Sequence, residues 1–455
     1  MAYEDLLTPG TELSELKFTG FWDWFINVSD IRIHWKHEPT YVISQFAYLF
    51  GGIATFVHAR IWKGRLPYLW ISVVLHGLVV ESLSYFLRPH VDNFWHSQTP
   101  VMFLGGRLPL HIIFLYACFL YNSSVAVAKM RLPKWSEPFA VGLGVVLIDI
   151  PYDIISVNFL HWTWHDTDPN IYDRHYWVPW NSYYFHACFA ASFTFWFHYT
   201  REKLCNSEGK WLADKRYALL QHQHQFLNFF LTKFLFSVSR ELLCSVIAAL
   251  LGTPGGVLLF IPIYHPLHDV FKIHSEVTFS ILFAIFLLLI WSGDRKPKDK
   301  VSNTAVHKTH WSTWILIVHL IIHYAAFMIM PIFFNPEDEI STGLKEPIGP
   351  CDQYEDVKTA FGMTLQKRKY LCSSDYDEKY FDWHCLPDGR PPSSGSIWYT
   401  ACGVPFPNRA EYISITALFC LIAAVVFRNL HFKSYGDAVF TQKYENVKDK
   451  SKKKV

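Results

Sequence analysis

Charge is scarce in this chain. Asp, Glu, Lys and Arg make up 18% of 455 residues, whereas a soluble domain usually carries about 25%, and here they gather between long apolar runs. Basic and acidic residues nearly balance, 41 against 39, for a formal charge of +2. That balance offers no footprint for nucleic acid, and no basic patch with a nucleic-acid motif is present, so no nucleic-acid partner is expected. A basic leader ahead of an apolar core is also missing, the first residues including Glu4 and Asp5, which predicts no cleaved signal peptide. No inverted repeat relates the two halves, which weighs against a transporter. What the chain does have is a 51% hydrophobic and 18% aromatic composition, and this predicts an integral membrane protein surrounded by lipid.

A membrane-spanning helix needs about 20 mostly apolar residues, because its backbone amides find no partner in hydrocarbon outside the segment. Nine runs qualify: 40–61, 67–86, 108–130, 138–159, 180–199, 226–251, 275–291, 311–334 and 412–430. A tenth, 254–274, carries Pro254, Pro262 and Pro266 with two glycines and reads as re-entrant or interfacial. The expected fold is an all-α polytopic bundle of about nine transmembrane helices with one re-entrant or interfacial segment and a disulfide-bonded lumenal loop. Its parts are a lumenal tail (1–39), an eight-helix bundle (40–334), a lumenal loop (335–410), a last helix (411–430) and a cytosolic basic tail (431–455).

Lysine and arginine orient the bundle, since the cytosolic side retains them. Sixteen lie in one set of loops, among them Arg60, Arg65, Lys129, Arg201 and Arg295, and only Arg88, Arg107, Arg174 and Lys272 in the other. The N-terminus is therefore expected outside and the C-terminus in the cytosol, which needs an odd number of spans and demotes the tenth run. Asn27, Val28 and Ser29 form a glycosylation sequon on the outer side. So does the polar loop holding Cys351, Cys372, Cys385 and Cys402 lie outside, which predicts two disulfides of open pairing. Cys118, Cys188, Cys205, Cys244 and Cys420 lie in or beside helices and read as packing residues. Phe21, Trp22, Trp24 and Phe25 suit either the headgroup layer or packing against the outer loops. The ending Lys452, Lys453, Lys454, Val455 resembles the dilysine retrieval signal of endoplasmic reticulum membrane proteins, the alternative being a basic anchor. The expected location is the endoplasmic reticulum or the secretory pathway.

Ionisable residues inside spans are costly, about 2.5 to 3.5 kcal/mol each, and so mark cavities or one another. Glu81, His111, Asp153 and His186 fall in the outer half of the bundle, with Asp149 one turn deeper. Asp149 and Asp153 share a helix face across Pro151, inviting a shared proton or a cation, or else bonding to Tyr152 and neighbouring helices. The stretch from His161 to Asp166, on through Trp180 and Asn181, is placed either to fold over such a site or to form an interfacial aromatic belt. His265, His268 and Asp269 have the spacing of half a metal site suited to zinc or iron, although the repeated histidine boxes of membrane di-iron hydroxylases are missing. Arg240 beside Glu241 reads as a buried ion pair.

Two resemblances add to this reading. Ser72 and His76, Asp149, and His319 with His323 look like the pattern of the ceramidase and progestin-receptor type membrane hydrolases, in which three histidines hold zinc; here a disulfide loop and another span follow the last pair. The order Asp149, Asp153, Trp162-x-Trp164 and the run Tyr176 to Asn181 resembles the carotenoid-biosynthesis membrane proteins, which include carotenoid hydratases, over about 35 residues. That likeness implies acid-catalysed addition of water to an isoprenoid, with Asp149 or Asp153 as proton donor and Glu81 as partner. Over its whole length the chain looks more like an animal family of multi-pass proteins to which no activity is attached. The expectation is an enzyme acting on a lipid or isoprenoid from a lumenal-side cavity with catalytic Glu81, Asp149 and Asp153. A proton- or cation-coupled transporter and a chaperone-like protein binding partners through its lumenal loop are the alternatives.

Overall fold

All nine long apolar runs are helical. In the computed structural model, which describes residues 10–12, 17–86, 94–164, 168–214, 227–295 and 309–441, the long helices are α1 (Pro39–Trp62), α2 (Leu66–Phe86), α3 (Leu110–Ala128), α4 (Glu137–Asn158), α5 (Trp180–Leu204), α6 (Leu227–His265), α7 (Ser275–Asp294), α8 (Thr313–Phe333) and α9 (Arg409–Phe432). Eight are long and apolar enough to cross a membrane. The exception, α5, is 25 residues long but diluted by hydroxyl, histidine and charged residues, and most of its first four turns are buried against α4 and α6. Lys452, Lys453, Arg88, His165 and Asp166 lie outside the described residues.

The Pro-rich segment corrects the expectation of a re-entrant piece. Helix α6 runs straight through Pro254 and Pro262 to His265 and closes in a π-turn, Pro266–Val270. Its 39 residues reach about 58 Å at 1.5 Å per residue, against about 30 Å of hydrocarbon, and the apolar part is Arg240–Val270. In water, Pro and Gly would punctuate this stretch. In the bundle, Pro254 and Pro262 leave the Leu250 and Leu258 carbonyls without their helical donors, and packing against α2 and α5 holds the helix through them. Ser72 donates to the Ser245 carbonyl at 2.8 Å, His76 Nδ1 lies 3.2 Å from that of Ala249, and Ser192 donates to that of Leu251 at 3.2 Å. Gly256 is there for proximity, since a Cβ would come within 2.9 Å of the Phe189 backbone on α5. Pro151 in α4 is accommodated likewise: it leaves the Leu147 carbonyl without its helical donor, and the Tyr324 hydroxyl of α8 donates there at 3.2 Å.

The loops assigned outside by charge all meet at one end of the bundle. There strand Ile26–Val28 pairs with Val101–Phe103, Phe94–His96 pairs with Trp162–Trp164, and Thr11–Glu12, Ile340–Leu344 and Phe381–Asp382 pair with Ser396–Gly403. A hairpin, Tyr354–Lys358 with Thr364–Arg368, projects from this sheet region. Disulfides Cys351–Cys372 and Cys385–Cys402 close it, choosing one of the three pairings. The N-terminal aromatic cluster divides its roles: Phe21 and Trp22 are exposed, while Phe25 packs against Phe103 at 5.7 Å.

At the opposite end the inner loops meet, and several of the orienting cations prove to be buried. Lys129 pairs with Asp437 at 2.7 Å. Glu241 lies between Arg201 Nε at 2.9 Å and Arg65 Nε at 3.5 Å. The pair expected between Arg240 and Glu241 is thus corrected: adjacent residues on a helix point about 100° apart, and Glu241 faces α5 and the head of α2 instead.

The outer loop docks on the bundle through a buried polar seam. The Ser97 hydroxyl donates to Glu38 at 2.7 Å, the Thr40 amide donates to Glu339 at 3.2 Å, and Lys345 donates to the Ser341 hydroxyl at 2.7 Å. Burial pushes the Glu339 carboxyl up to about 8, with the Thr40 hydrogen bonds opposing. A carboxyl raised in this way contributes most below its ordinary value of 4.5 and loses that contribution as pH rises through about 8. Burial lowers Lys345 to about 8, with Glu38 opposing, so its own effect on stability runs the other way and only above that pH. The melting temperature in detergent should therefore fall from about pH 5 to about pH 8, and Glu339→Gln should flatten the fall. An unaltered slope in the variant would discount Glu339 as its source.

Candidate functional site

A cavity of about 770 Å³ lies in the outer half of the bundle among α2, α3, α4, α5 and α6. Apolar side chains make most of its wall, including Leu115, Phe119, Phe185, Phe189, Val257 and Phe260. Its outer boundary includes Phe94, Trp162 and Trp164 from two short strands and Val357 to Ala360 from the hairpin tip. The Trp-x-Trp stretch therefore covers the site, one of the two places the sequence allowed.

Two polar groups face this space. Helix periodicity sets the first, since Asp149 and Asp153 on α4 and Ser182 and His186 on α5 are each four residues apart and share one face. Gly142 lets the two backbones approach: a Cβ there would meet the Ala187 carbonyl oxygen at 2.4 Å. Ser182 donates to Asp153 Oδ2 at 2.8 Å, and His186 Nε2 stands 3.5 Å from Asp149 Oδ1. Asp153, Ser182 and His186 line the cavity, with Asp149 immediately behind.

Glu81 anchors the second group. The Tyr116 hydroxyl donates to its Oε1 at 3.1 Å, and His96 Nε2 lies 3.8 Å from its Oε2. Burial pulls the His96 imidazole below its ordinary range, with the Glu81 carboxylate opposing. The structure thus brings Glu81 and Asp153 to one cavity. Tyr116, His96, Ser182 and the hairpin tip escaped the sequence reading, because their roles depend on which elements become neighbours. A helical i, i+4 pair of Ser182 and His186 was the one available signal.

His265, His268 and Asp269 stand together at the outer end of α6, but bonded to one another: both Nδ1 atoms face Asp269, at 2.6 and 2.8 Å. Asp173 extends the cluster, with His268 Nε2 at 3.6 Å and His274 Nε2 at 3.3 Å. Burial works against ionisation of Asp173, yet hydrogen bonds from His268 and the Ser275 amide hold it down to about 2. Only His265 of the three reaches the cavity. The hydrolase-like set does not converge. Ser72 and His76 are engaged with α6 carbonyls, His319 Nδ1 lies 3.2 Å from Asn122 Nδ2, and His323 Nε2 lies 3.0 Å from the Ile148 carbonyl.

The helices and the acid-bearing cavity among them define a polytopic membrane protein with a polar site within the bundle. The chain belongs to the family described as a domain of unknown function, DUF7802, whose model matches residues 12–239 and 233–432. No curated protein and no solved structure matches it. The family match includes the stretch from Asp149 to Asn181 and brings no activity to it.

Proposed function

We propose that this cavity receives a lipid or isoprenoid and that Asp149, Asp153 and Glu81 carry out acid–base chemistry, a hydration or a hydrolysis, on it. The observation that carries the reading is a partly open cavity of about 770 Å³ whose wall is mostly apolar and whose acids, Glu81 and Asp153, each belong to a polar cluster. The volume is that of a typical small-molecule site, and apolar walls with few convergent polar groups suit a ligand with a long hydrocarbon part. Lipid extracted from the purified protein should be enriched in one species over the surrounding detergent–lipid pool, and the same species or its product should change in level between null and rescued cells. Extracts matching the bulk membrane, with no change in cells, would reject a lipid-directed role.

The two disulfides and the outer sequon further support residence in the endoplasmic reticulum or the secretory pathway. Asn27 is half-buried in its strand and Ser29 Oγ lies 2.7 Å from His34 Nε2. Glycosidase digestion should shift the mobility of the wild type and leave Asn27→Gln unchanged; an unshifted wild type removes the glycan.

A further inference from the structure

We propose that Asp149, Asp153 and His186 form a binding site for a divalent cation, with zinc as the fitting ion, at the polar end of the cavity. This deepens the reading of that cavity as a working site and rests on it. One ligand atom from each of the three residues lies within 4.8 Å of the others. Zinc held at about 2.0 to 2.2 Å by oxygen and nitrogen in a tetrahedron sets its ligands about 3.4 Å apart, so modest rotation of these side chains would close the set.

A second observation separates this group from an ordinary acidic cluster. Asp149 is completely buried, and neither of its carboxylate oxygens accepts a hydrogen bond from outside the cluster, its hydrogen-bonding neighbour being the Asp153 carboxyl itself. A buried carboxylate without donors is costly. Its neighbour Asp153 is 2% exposed and has the Ser182 hydroxyl on one oxygen. Among the described residues the basic group within ion-pair distance of either aspartate is the His186 imidazole, and no lysine or arginine pairs with them. A cation between the three satisfies both carboxylates at once. Ser182 would then orient Asp153, as outer-shell donors orient metal-binding carboxylates.

Three protein ligands leave a fourth position, and the cavity-lining placement of Asp153 and His186 directs it at the cavity. Such an open position is the mark of a zinc site that acts on bound molecules rather than holding a fold together. With the ion bound, Asp149 and Asp153 serve as its deprotonated ligands and Glu81 remains as the acid–base group, while the ion would polarise an oxygen of the guest or activate a water. The other three-residue group, Asp382, His384 and Cys402, offers no such site, because the sulfur of Cys402 is in a disulfide.

The full chain, purified in detergent without chelator, equilibrated with zinc and then desalted, should retain about one zinc per chain by elemental analysis. Asp149→Asn and His186→Gln should each lower retention at least tenfold, while Glu81→Gln should retain the ion. Cobalt in place of zinc should give the intense visible absorption of a four-coordinate site in the wild type, a readout that does not require the variants to fold. A wild type without retained zinc and without that absorption overturns the proposal, as does an ion that survives both ligand substitutions. Lipid extracted from the same samples keeps the two readings apart: bound lipid without metal defeats the metal site alone, and metal without lipid defeats the lipid reading alone.

Discussion

Glu241→Ala should prevent the protein from accumulating. Glu241 is 2% exposed and lies within ion-pair distance of two buried arginines, Arg65 and Arg201. Arg65 also stacks over the Phe197 ring at 3.7 Å and donates to the Phe197 carbonyl, so it cannot simply turn outward. Removing the carboxylate strands two cations at the junction of α2, α5 and α6, for which the cost of breaking a buried pair is about 3 to 5 kcal/mol. Alanine at Arg240, the adjacent but unrelated position, should fall within about 1 kcal/mol of wild type. Steady-state level and detergent melting temperature read both. If Arg240→Ala were the damaging change and Glu241→Ala were tolerated, the assignment of partners at this end would be wrong.

Asp149→Asn and Asp153→Asn should leave the fold intact and abolish function. Asparagine keeps the volume, and at position 153 its carbonyl can still accept from Ser182, but neither variant can donate an acidic proton or contribute a full negative charge. Loss of a positioned acid or base costs about 10² to 10⁴ in rate, so the cellular lipid change should revert to the null level. Glu81→Gln should behave alike while keeping its bond from Tyr116. Melting temperatures near wild type, together with failed rescue, are the expected result. Full rescue by all three variants would reduce these acids to packing residues.

How far the sequence reaches is clearest at α4. Two aspartates at i and i+4 must share a face of any helix they belong to, and their cost in hydrocarbon already marks that face as one turned toward a cavity or a partner. Nothing local says that Ser182 and His186, more than 25 positions later, will be the residues opposite, because that depends on the register in which α4 and α5 pack. His96 and the tip of the hairpin are further from reach: His96 comes to the cavity through antiparallel pairing with the Trp162–Trp164 strand, and the tip through a hairpin of the long outer loop more than 270 positions beyond Glu81.

Composition and the spacing of apolar residues determined by themselves that the chain is a bundle of long membrane helices, and the bias of lysine and arginine determined which loops share an end. Cysteine placement likewise determined a disulfide-bonded outer segment, whereas the structure alone decided the pairing of Cys351 with Cys372 and Cys385 with Cys402. Only tertiary structure could decide that Pro254 and Pro262 sit within a continuous helix. Proline removes a backbone donor wherever it occurs, but whether that ends a helix depends on what the neighbours do with the freed carbonyls and the space around them. The same reason assigns Glu241 to Arg65 and Arg201: a buried charge is satisfied by whatever packing brings near it, and packing is set by the surfaces of several helices at once.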